Sequence, residues 1–414
     1  MRFAKFSFVW LALLVPSLAS AQERTPIWWG GVGFLVPDSG IKDLAPNTYA
    51  VLSDRKLAAA VEKRAVESLH ECLSSRSDLE FISDTLPPGK SDVFLISLAF
   101  TTDDVERQSV DGNEIVNHDL QALVLVAYLS PDPTKQKIVT SFPVRIRYTL
   151  LGEQAISGNG PAQVFSRLLA APEPQMPDVV AEWCRAAKQV QLREKNIWIR
   201  VPPFGLSSSA QAYLEATSKS TAEKRVVRQI GLRGSSILES RISQEFDIPI
   251  IPFGSNSATE RMVLNLTDRS GSLYFVPQEA DYNIRVDVDE LRLVEQSMTT
   301  AGGNEVSGQA YAGRFILRIE SASVDGGAGR ELVKVLLRRV DIVDASGKKL
   351  VPVQQFARMI VNFSSELGRG LAKPDAKWIA ETKSDAETAK PKTIAKALVE
   401  FVSTYLRQKP KRPS

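Results

Sequence analysis

Residues 280–291, ADYNIRVDVDEL, carry the clearest β-strand pattern in the sequence. Apolar and polar side chains alternate along it, and a period of two places one set on a covered face and the other in water. The covered set is Tyr282, Ile284, Val286 and Val288, and the solvated set is Asn283, Arg285, Asp287 and Asp289. The pattern predicts a sheet that is covered on one side only.

A similar strand is encoded much earlier, at residues 92–100, DVFLISLAF. Each of the two strands follows a helical segment and precedes a hairpin of two further strands. The first hairpin turns at residues 130–133, SPDP, and the second at residues 325–327, DGG, and both are typical turn sequences. We therefore predict an α+β fold made of two similar α/β units, each a mainly antiparallel mixed sheet with helices packed on one face.

The chain has 414 residues, a length that suits two or three domains. Its 43% of apolar and 24% of charged residues are typical of a folded chain and exclude a disordered one. The predicted segments are a signal peptide at 1–21, a first unit at 22–195, a second unit at 196–366, a flexible Lys/Ala-rich excursion at 367–392, and a closing helix with a basic tail at 393–414.

The first residues have the features of a secretory signal. Arg2 and Lys5 precede an apolar run, and the small residues Ala19, Ser20 and Ala21 form a cleavage site. The apolar run is too short for a good membrane span, and no later stretch is long and apolar enough to cross a bilayer. We predict an exported protein, periplasmic or secreted, without a transmembrane segment. No Cys follows the cleavage site, so a lipid-anchored precursor is not expected.

The charge is concentrated near the C-terminus. Residues 369–414 contain 11 Lys/Arg and 5 Asp/Glu, a local charge of +6, whereas the whole chain carries +3. The simplest interpretation is a solvated tail. The alternative is contact between this basic tail and an anionic polymer of the cell envelope. We predict no nucleic-acid partner.

Cys72 and Cys184 are the two cysteines of the chain, so a single disulfide is the most that can form. Each lies in a predicted helix of the first unit, and export permits oxidation. Two interpretations remain open at this point. The two residues form a bridge, or they are separate buried thiols that behave as small apolar side chains.

Two adjacent tryptophans, Trp28 and Trp29, lie near the expected mature N-terminus in a strand pattern interrupted by glycines. Their rings could stack on a sugar of a cell-wall glycan, or they could pack in the protein core. Core packing is the more common role of large aromatic side chains. Glycan contact is kept as the alternative.

The two copies differ on the second face of their sheets. Aligning Asp92 with Asp281 puts Leu95, Ser97 and Ala99 on the covered face of the first unit. The opposite set is also apolar, in contrast to the charged set of the second unit: Phe94, Ile96, Leu98 and Phe100. A sheet with two apolar faces needs both of them covered. We predict that this set forms an interface with the second unit or with another molecule.

Further elements are predicted from periodicity. Apolar residues at helical spacing mark a helix in the first unit, at Leu57, Val61, Ala65, Leu69 and Leu73, and a closing helix, at Ile394, Leu398, Phe401 and Tyr405. Gly231 and Gly234 weaken another helical pattern, which we predict only from Ser235 onward. Residues 248–253 read as an edge strand because they contain prolines, and residues 351–363 as a further strand.

The sequence contains no recognisable catalytic or metal-binding constellation. His70 and His118 are its two histidines, and no Gly-x-Ser-x-Gly motif accompanies them. Asp287 and Asp289 could mimic a catalytic carboxylate pair, yet the solvated face of a strand explains them more simply. We predict no cofactor, no metal and no catalytic residue.

Three short pieces of the second unit resemble a known family. Residues 201–204, VPPF, end a first strand, a Ser-rich segment and a helix follow, and residues 280–282, ADY, open a later strand. This arrangement is similar to the exported α/β domain shared by the curli secretion channel subunit, the outer-membrane activator of penicillin-binding proteins and the N-terminal domain of the Tol translocation protein. The resemblance implies an envelope setting and a role in binding other proteins.

These observations favour a non-catalytic exported protein of the cell envelope, acting as an assembly or scaffolding component through protein–protein contacts. Its expected partners are envelope proteins or further copies of itself. A cell-wall glycan-binding protein and a hydrolase with an unrecognised site are the alternative hypotheses.

Overall fold

The computed structural model describes residues 24–35, 38–84, 89–110, 113–152, 160–192, 197–252, 262–267, 272–276, 279–299, 305–321, 329–344 and 351–406. The strands are β1 Thr25–Phe34, β2 Leu79–Ile82, β3 Val93–Val110, β4 Asn113–Leu129, β5 Lys137–Leu151, β6 Ile199–Arg200, β7 Gly205–Leu206, β8 Met262–Leu266, β9 Ser272–Phe275, β10 Tyr282–Thr299, β11 Glu305–Ser321 and β12 Glu331–Asp344. The α-helices are α1 Asp38–Leu44, α2 Pro46–Ser53, α3 Arg55–Ser74, α4 Pro161–Ala170, α5 Val179–Lys188, α6 Ser208–Thr217, α7 Thr221–Phe246, α8 Pro352–Ala372, α9 Ala376–Thr382 and α10 Pro391–Phe401.

The two halves of the chain repeat one strand order. The first sheet contains β5-β4-β3-β1, and the second is β12-β11-β10-β6, with β7 also paired to β10. In each sheet the first strand runs parallel to the first strand of an antiparallel meander of three long strands. The fold is therefore α+β with two sheet units, as the sequence predicts.

The two central strands also share an irregularity. The pairing of β3 with β4 shifts between Phe100 and Thr102, and the pairing of β10 with β11 shifts between Val288 and Glu290. Such a bulge bends the strand and turns the following side chains. Its recurrence at the same point of both meanders supports the internal repeat and makes Phe100 the counterpart of Val288.

The first sheet recruits strands from the second half of the chain. β8 pairs with β1, β9 pairs with β8, and a bridge between Lys137 and Val276 joins β9 back to the start of β5. The sheet thus curls into a nearly closed barrel, whose interior is filled by apolar side chains, among them Leu95, Ala99 and Phe275. The predicted segment boundary is wrong here, because β8 and β9 belong to the first sheet although they follow residue 196.

A helical layer covers the outside of this barrel. The stripe predicted for α3 is buried at Val61, Ala65, Leu69 and Leu73, where it packs with α4 and α5. The N-terminal cap of α3 is Asp54, which accepts hydrogen bonds from the backbone N–H groups of Lys56 and Leu57. Cys72 of α3 and Cys184 of α5 form a disulfide, with 5.4 Å between their alpha carbons.

Helix α7 lies at the centre of the molecule and is longer than predicted, since it begins at Thr221. The glycines that weaken its pattern have a packing reason. A methyl group on Gly231 would stand 2.4 Å from the carbonyl oxygen of Phe204, and one on Gly234 would meet the Phe204 ring. The Phe204 N–H also donates to the Gly231 carbonyl over 3.0 Å, so the glycines allow a loop to approach α7 closely.

Two further predictions are wrong. Residues 351–363 are not a strand but the first part of α8, whose buried face repeats at helical spacing through Val353, Phe356, Ile360, Phe363 and Leu367. The segment after α8 is not a flexible excursion. It forms α9, buries Ile379, and runs along the edge of β12 through a bridge between Lys383 and Leu337.

The predicted edge strand at residues 248–253 is a connector between the sheets. Within its described part, Ile250 N donates to the Ser141 carbonyl of β5, and Ile251 N donates to the Ile199 carbonyl of β6. The closing helix α10 is confirmed, with Ile394, Leu398 and Phe401 buried in the second core. None of the described helices is both long and apolar enough to cross a membrane.

The elements stack in four layers: helices α3–α5, the first sheet, helices α7 and α8, and the second sheet. Helices α7 and α8 therefore contact a sheet on each side. The face of the second sheet that points away from α7 and α8 is the outer surface of the stack, and it bears exposed side chains, including Val340 and Ile342.

Candidate functional site

Two surfaces of this stack are candidate functional sites. One is the contact of the first sheet with α7 and α8, which we call the joint, and the other is the outer face of the second sheet. The joint forms where the strands of the first sheet continue beyond the bulge at Thr101 and meet α7 and α8. Arg233 of α7 binds both carboxylate oxygens of Asp104 at 2.7 Å. Burial raises the pKa of Asp104, and the Arg233 guanidinium partly offsets this effect. The bidentate pair fixes the position of α7 on the first sheet.

Neighbouring charges of the joint are satisfied within the first unit. Asp119 accepts from Arg145 Nε at 2.9 Å, and Arg147 lies between Asp119 and Glu106 at 3.8 and 3.6 Å. Asp119, Arg147 and Glu106 border a cleft of about 40 Å³, and a second cleft of about 210 Å³ continues between β3, α7 and α8. Because these charges are paired and the clefts are narrow, we interpret this part of the joint as structural: it fixes the position of α7 and α8 on the first sheet.

Asp103 has a separate structural role on the opposite side of β3. Its carboxylate accepts hydrogen bonds from the backbone N–H of Thr48 at 2.6 Å and from the Asn47 side chain at 2.8 Å. Helix α2 begins after Ala45, which has no side chain able to cap it. Asp103 thus supplies from another element the anionic cap that the helix lacks. Burial raises the pKa of this carboxyl despite these hydrogen bonds.

Glu239 is the unusual group of the joint. It lies on α7, is 8% exposed, and its Oε1 atom has no hydrogen-bond partner among the described residues. Burial raises the pKa of this carboxyl well above its ordinary value. It borders a cavity of about 50 Å³ that the first sheet and α7 enclose. Because one water needs roughly 10–15 Å³ of such space, the cavity has room for a few waters and not for a metabolite.

The outer face of the second sheet has two different halves. The half near the start of β10 carries cross-strand ion pairs, Asp287 with Arg318 and Asp289 with Arg314. These pairs show that the two aspartates do not form a carboxylate dyad. The other half lies beyond the bulge and is apolar: Val294 of β10, Ala310 and Ala312 of β11, and Val340 and Ile342 of β12. We call these five residues the apolar patch.

The larger side chains of the apolar patch are open to solvent, whereas Ala310 between them is buried. Val294, Val340 and Ile342 are 44%, 50% and 58% exposed. The register places Val294 opposite Ala310 and Ala310 opposite Ile342, so the patch is continuous across three strands. Arg292 borders it and pairs with Glu290 of its own strand, with its side chain 69% exposed. A contiguous apolar surface rimmed by charge is typical of a contact site.

The tryptophans predicted as glycan contacts lie in the core instead. Trp28 is 8% and Trp29 3% exposed, on opposite faces of β1. Trp29 donates its indole N–H to Glu62 at 2.9 Å, and the Lys90 ammonium lies 4.0 Å from the centre of the Trp28 ring. Buried rings cannot stack on a polysaccharide, so the glycan-contact prediction is wrong for these residues.

The predicted interface set faces the helices of its own unit. Ile96, Leu98 and Phe100 are buried beneath α3–α5, and Phe94 packs against the same core. The opposite residues, Leu95 and Ala99 among them, fill the barrel that β8 and β9 complete. The prediction assigned the two faces the wrong way round, because aligning Asp92 with Asp281 differs by one residue from the alignment given by the bulges, and one residue exchanges the faces of a strand.

The histidines do not form a site. His118 is buried against the Phe165 ring, 5.8 Å between ring centres, and burial lowers its pKa to about 4. His70 lies near Phe81 on the exposed side of α3. The described residues contain no group of three or more His, Cys, Asp or Glu side chains able to hold a metal ion. The end of the basic tail, residues 407–414, lies outside the described residues.

The sequence interpretation missed Asp104, Arg233, Glu239 and the apolar patch. A signal was present for each surface. Arg225, Gln229 and Arg233 recur every four residues on α7, and all three bond to the first unit, which marks a second buried face on this helix. In β12, Val340 and Ile342 occupy positions that the alternation assigns to solvent.

No family model and no curated protein matches the chain. Among solved structures, it is similar to a hypothetical protein, CT253, from Chlamydia trachomatis, with 9% sequence identity and a TM-score of 0.24. The match covers 44% of this chain and all of the other.

Proposed function

We propose that the protein is an exported component of the cell envelope that acts in assembly or scaffolding through contacts with other proteins. The observation that carries the proposal is the apolar patch on the outer face of the second sheet. Its Val and Ile side chains are exposed on a face whose other half is covered by ion pairs. Burying such a surface contributes roughly 25 cal/mol per Å² of apolar area, which favours binding to a partner of matching shape.

The disulfide supports the exported location. Cys72 and Cys184 are joined across 112 residues, and such bonds persist in oxidising compartments such as the periplasm. The secretory signal predicted at residues 1–21 lies outside the described residues. Cell fractionation tests the location: we expect the protein in the periplasmic or secreted fraction, and a cytoplasmic protein with two free thiols would contradict the proposal.

Affinity purification from envelope extract tests the protein contact. We expect the wild-type chain to recover a stoichiometric protein partner and the Val340→Asp/Ile342→Asp double variant to lose it. Lys334→Asp is the matched control, since Lys334 lies on the same strand and is exposed on the same face, and the change alters the charge by the same amount. Equal recovery by all three proteins would show that the patch is not the contact surface.

Thermal melting of each variant shows whether a loss of binding is caused by misfolding. Substitutions at exposed positions generally change the free energy of unfolding by no more than about 0.5 kcal/mol. The double variant and the Lys334→Asp control should therefore melt close to the wild-type protein.

A further inference from the structure

The internal repeat assigns each residue of the apolar patch a counterpart in the first unit. Counting from the two bulges, Arg292 and Val294 of β10 correspond to Asp104 and Glu106 of β3. Along the neighbouring strands, Ala312 corresponds to Asp119 and Val340 to Arg147. The patch is therefore the same surface of the repeated unit that forms the joint in the first half.

In the first unit this surface is already occupied by helices. Arg233 and Ile237 of α7 and Val361 of α8 border the cleft above Asp104, Asp119 and Arg147. The contact includes the bidentate Arg233–Asp104 pair. In the first unit, this part of the sheet is therefore covered by a packed helix.

The second unit presents the same surface with different chemistry. The acidic Asp104 and Glu106 are replaced by Arg292 and Val294, and the charged Asp119 and Arg147 by Ala312 and Val340. A helix suited to this surface needs an apolar stripe in place of polar contacts. A carboxylate where α7 has Arg233 would suit the arginine that now stands at that point of the sheet, Arg292, which is largely exposed and pairs with Glu290 of its own strand.

The dimensions of the patch agree with a helix. Neighbouring strands lie about 4.8 Å apart, so Val294 on β10 and Ile342 on β12, which both pair with Ala310, stand about 10 Å from each other across β11. Between them, Ala310 and Ala312 leave a shallow trough. An α-helix with its side chains is roughly 10–12 Å wide, and it can rest in this trough with the larger side chains on its two flanks.

We propose that the apolar patch docks an amphipathic helix of another protein, with an apolar stripe on Val294, Val340 and Ile342 and a carboxylate facing Arg292. This inference rests on the proposed function, since it specifies the partner of the protein contact proposed above. The partner helix takes the place that α7 holds on the first sheet.

Site-specific photocrosslinking in the full-length exported protein tests the inference. The probe is p-benzoylphenylalanine introduced at Ala312 in the trough, and the control position is Lys334 on the ion-paired half. We expect an adduct with another protein from position 312 and none from 334. The crosslinked segment of the partner should have apolar residues three and four apart with an acidic neighbour, and Arg292→Glu should cause loss of the adduct.

The other outcomes overturn the inference in distinguishable ways. An adduct of twice the mass of this chain would identify a second copy as the occupant. A crosslink to a segment with strand periodicity would replace the helix by an added strand or sheet. If no adduct forms at 312 while purification still recovers a patch-dependent partner, the helix proposal fails and the proposed function stands. If neither experiment yields a protein, both fail.

Discussion

Replacing Glu239 with Gln gives the sharpest test of the joint between the two units. The substitution keeps the size of the side chain, exchanges one carboxyl oxygen for an NH2 group, and removes its ability to ionise. Glu239 is buried beside a small cavity, and burial raises its pKa well above the ordinary 4.5. The folded protein therefore keeps this proton at pH values where the unfolded chain has released it.

The sign of the effect follows from proton linkage. Below the unfolded pKa near 4.5, both states hold the proton, and the wild type and Glu239→Gln should have the same free energy of unfolding. Above that pH the folded state binds one more proton, so the wild type loses stability by up to about 1.4 kcal/mol per pH unit until the folded pKa is reached. The variant has no such loss.

Chemical denaturation at a series of pH values from 4 to 8 measures this difference. We expect Glu239→Gln to become progressively more stable than the wild type as the pH rises. Glu245→Gln is the control, because Glu245 is exposed on the same helix, and its difference from the wild type should stay within about 0.5 kcal/mol at every pH. A pH-independent difference for Glu239→Gln would refute the reasoning, since it would mean that the carboxyl ionises in the folded protein as it does in water.

Three further outcomes are expected from the same structure. Denaturation without reductant should leave no reactive thiol, and two reactive thiols in the unreduced, denatured protein would contradict the bridge. Replacing Cys72 and Cys184 with Ser should lower the free energy of unfolding by up to about 5 kcal/mol, the chain-entropy value for a loop of 112 residues. A double-mutant cycle of Arg233→Met and Asp104→Asn, measured by chemical denaturation, should give a favourable coupling free energy of about 1–2 kcal/mol, intermediate between the values for exposed and buried ion pairs. Additive effects of the two substitutions would show that this pair does not stabilise the joint. Asp103→Ala should cost about 1–2 kcal/mol in the same assay, because α2 loses its cap, and an unchanged midpoint would mean that solvent satisfies the helix end.

The stack of four layers explains why one repeated unit carries two different surfaces. The face of the first sheet that corresponds to the outer face of the second sheet is covered by the barrel strands, α7 and α8, so it tolerates apolar residues in the barrel and paired charges at the joint. The outer side of the second sheet has no such cover among the described residues, and one half of it is charged as expected. The apolar half departs from this pattern, and that departure motivates the proposed protein contact.

Several features follow from the sequence alone. The alternation along β10 predicts its covered face, because a period of two needs no tertiary information to separate Ile284 and Val286 from Arg285 and Asp287. The stripe of α3 and the closing helix α10 are predicted for the same kind of reason. The order of helix, strand and hairpin in each half also shows the repeat, since local pattern and turn residues determine it.

Other features were decided by tertiary structure. Strand β3 is apolar on both sides, so its pattern is symmetric and cannot tell which face receives the helices; the pairing of distant β8 with β1 decides it. The start of α8 is rich in residues that suit either a strand or a buried helix, and its packing on α7 selects the helix. The burial of Glu239 cannot be predicted from the sequence. It results from the position of α7 between two sheets, and burial on a second face of a helix depends on contacts between residues far apart in the chain.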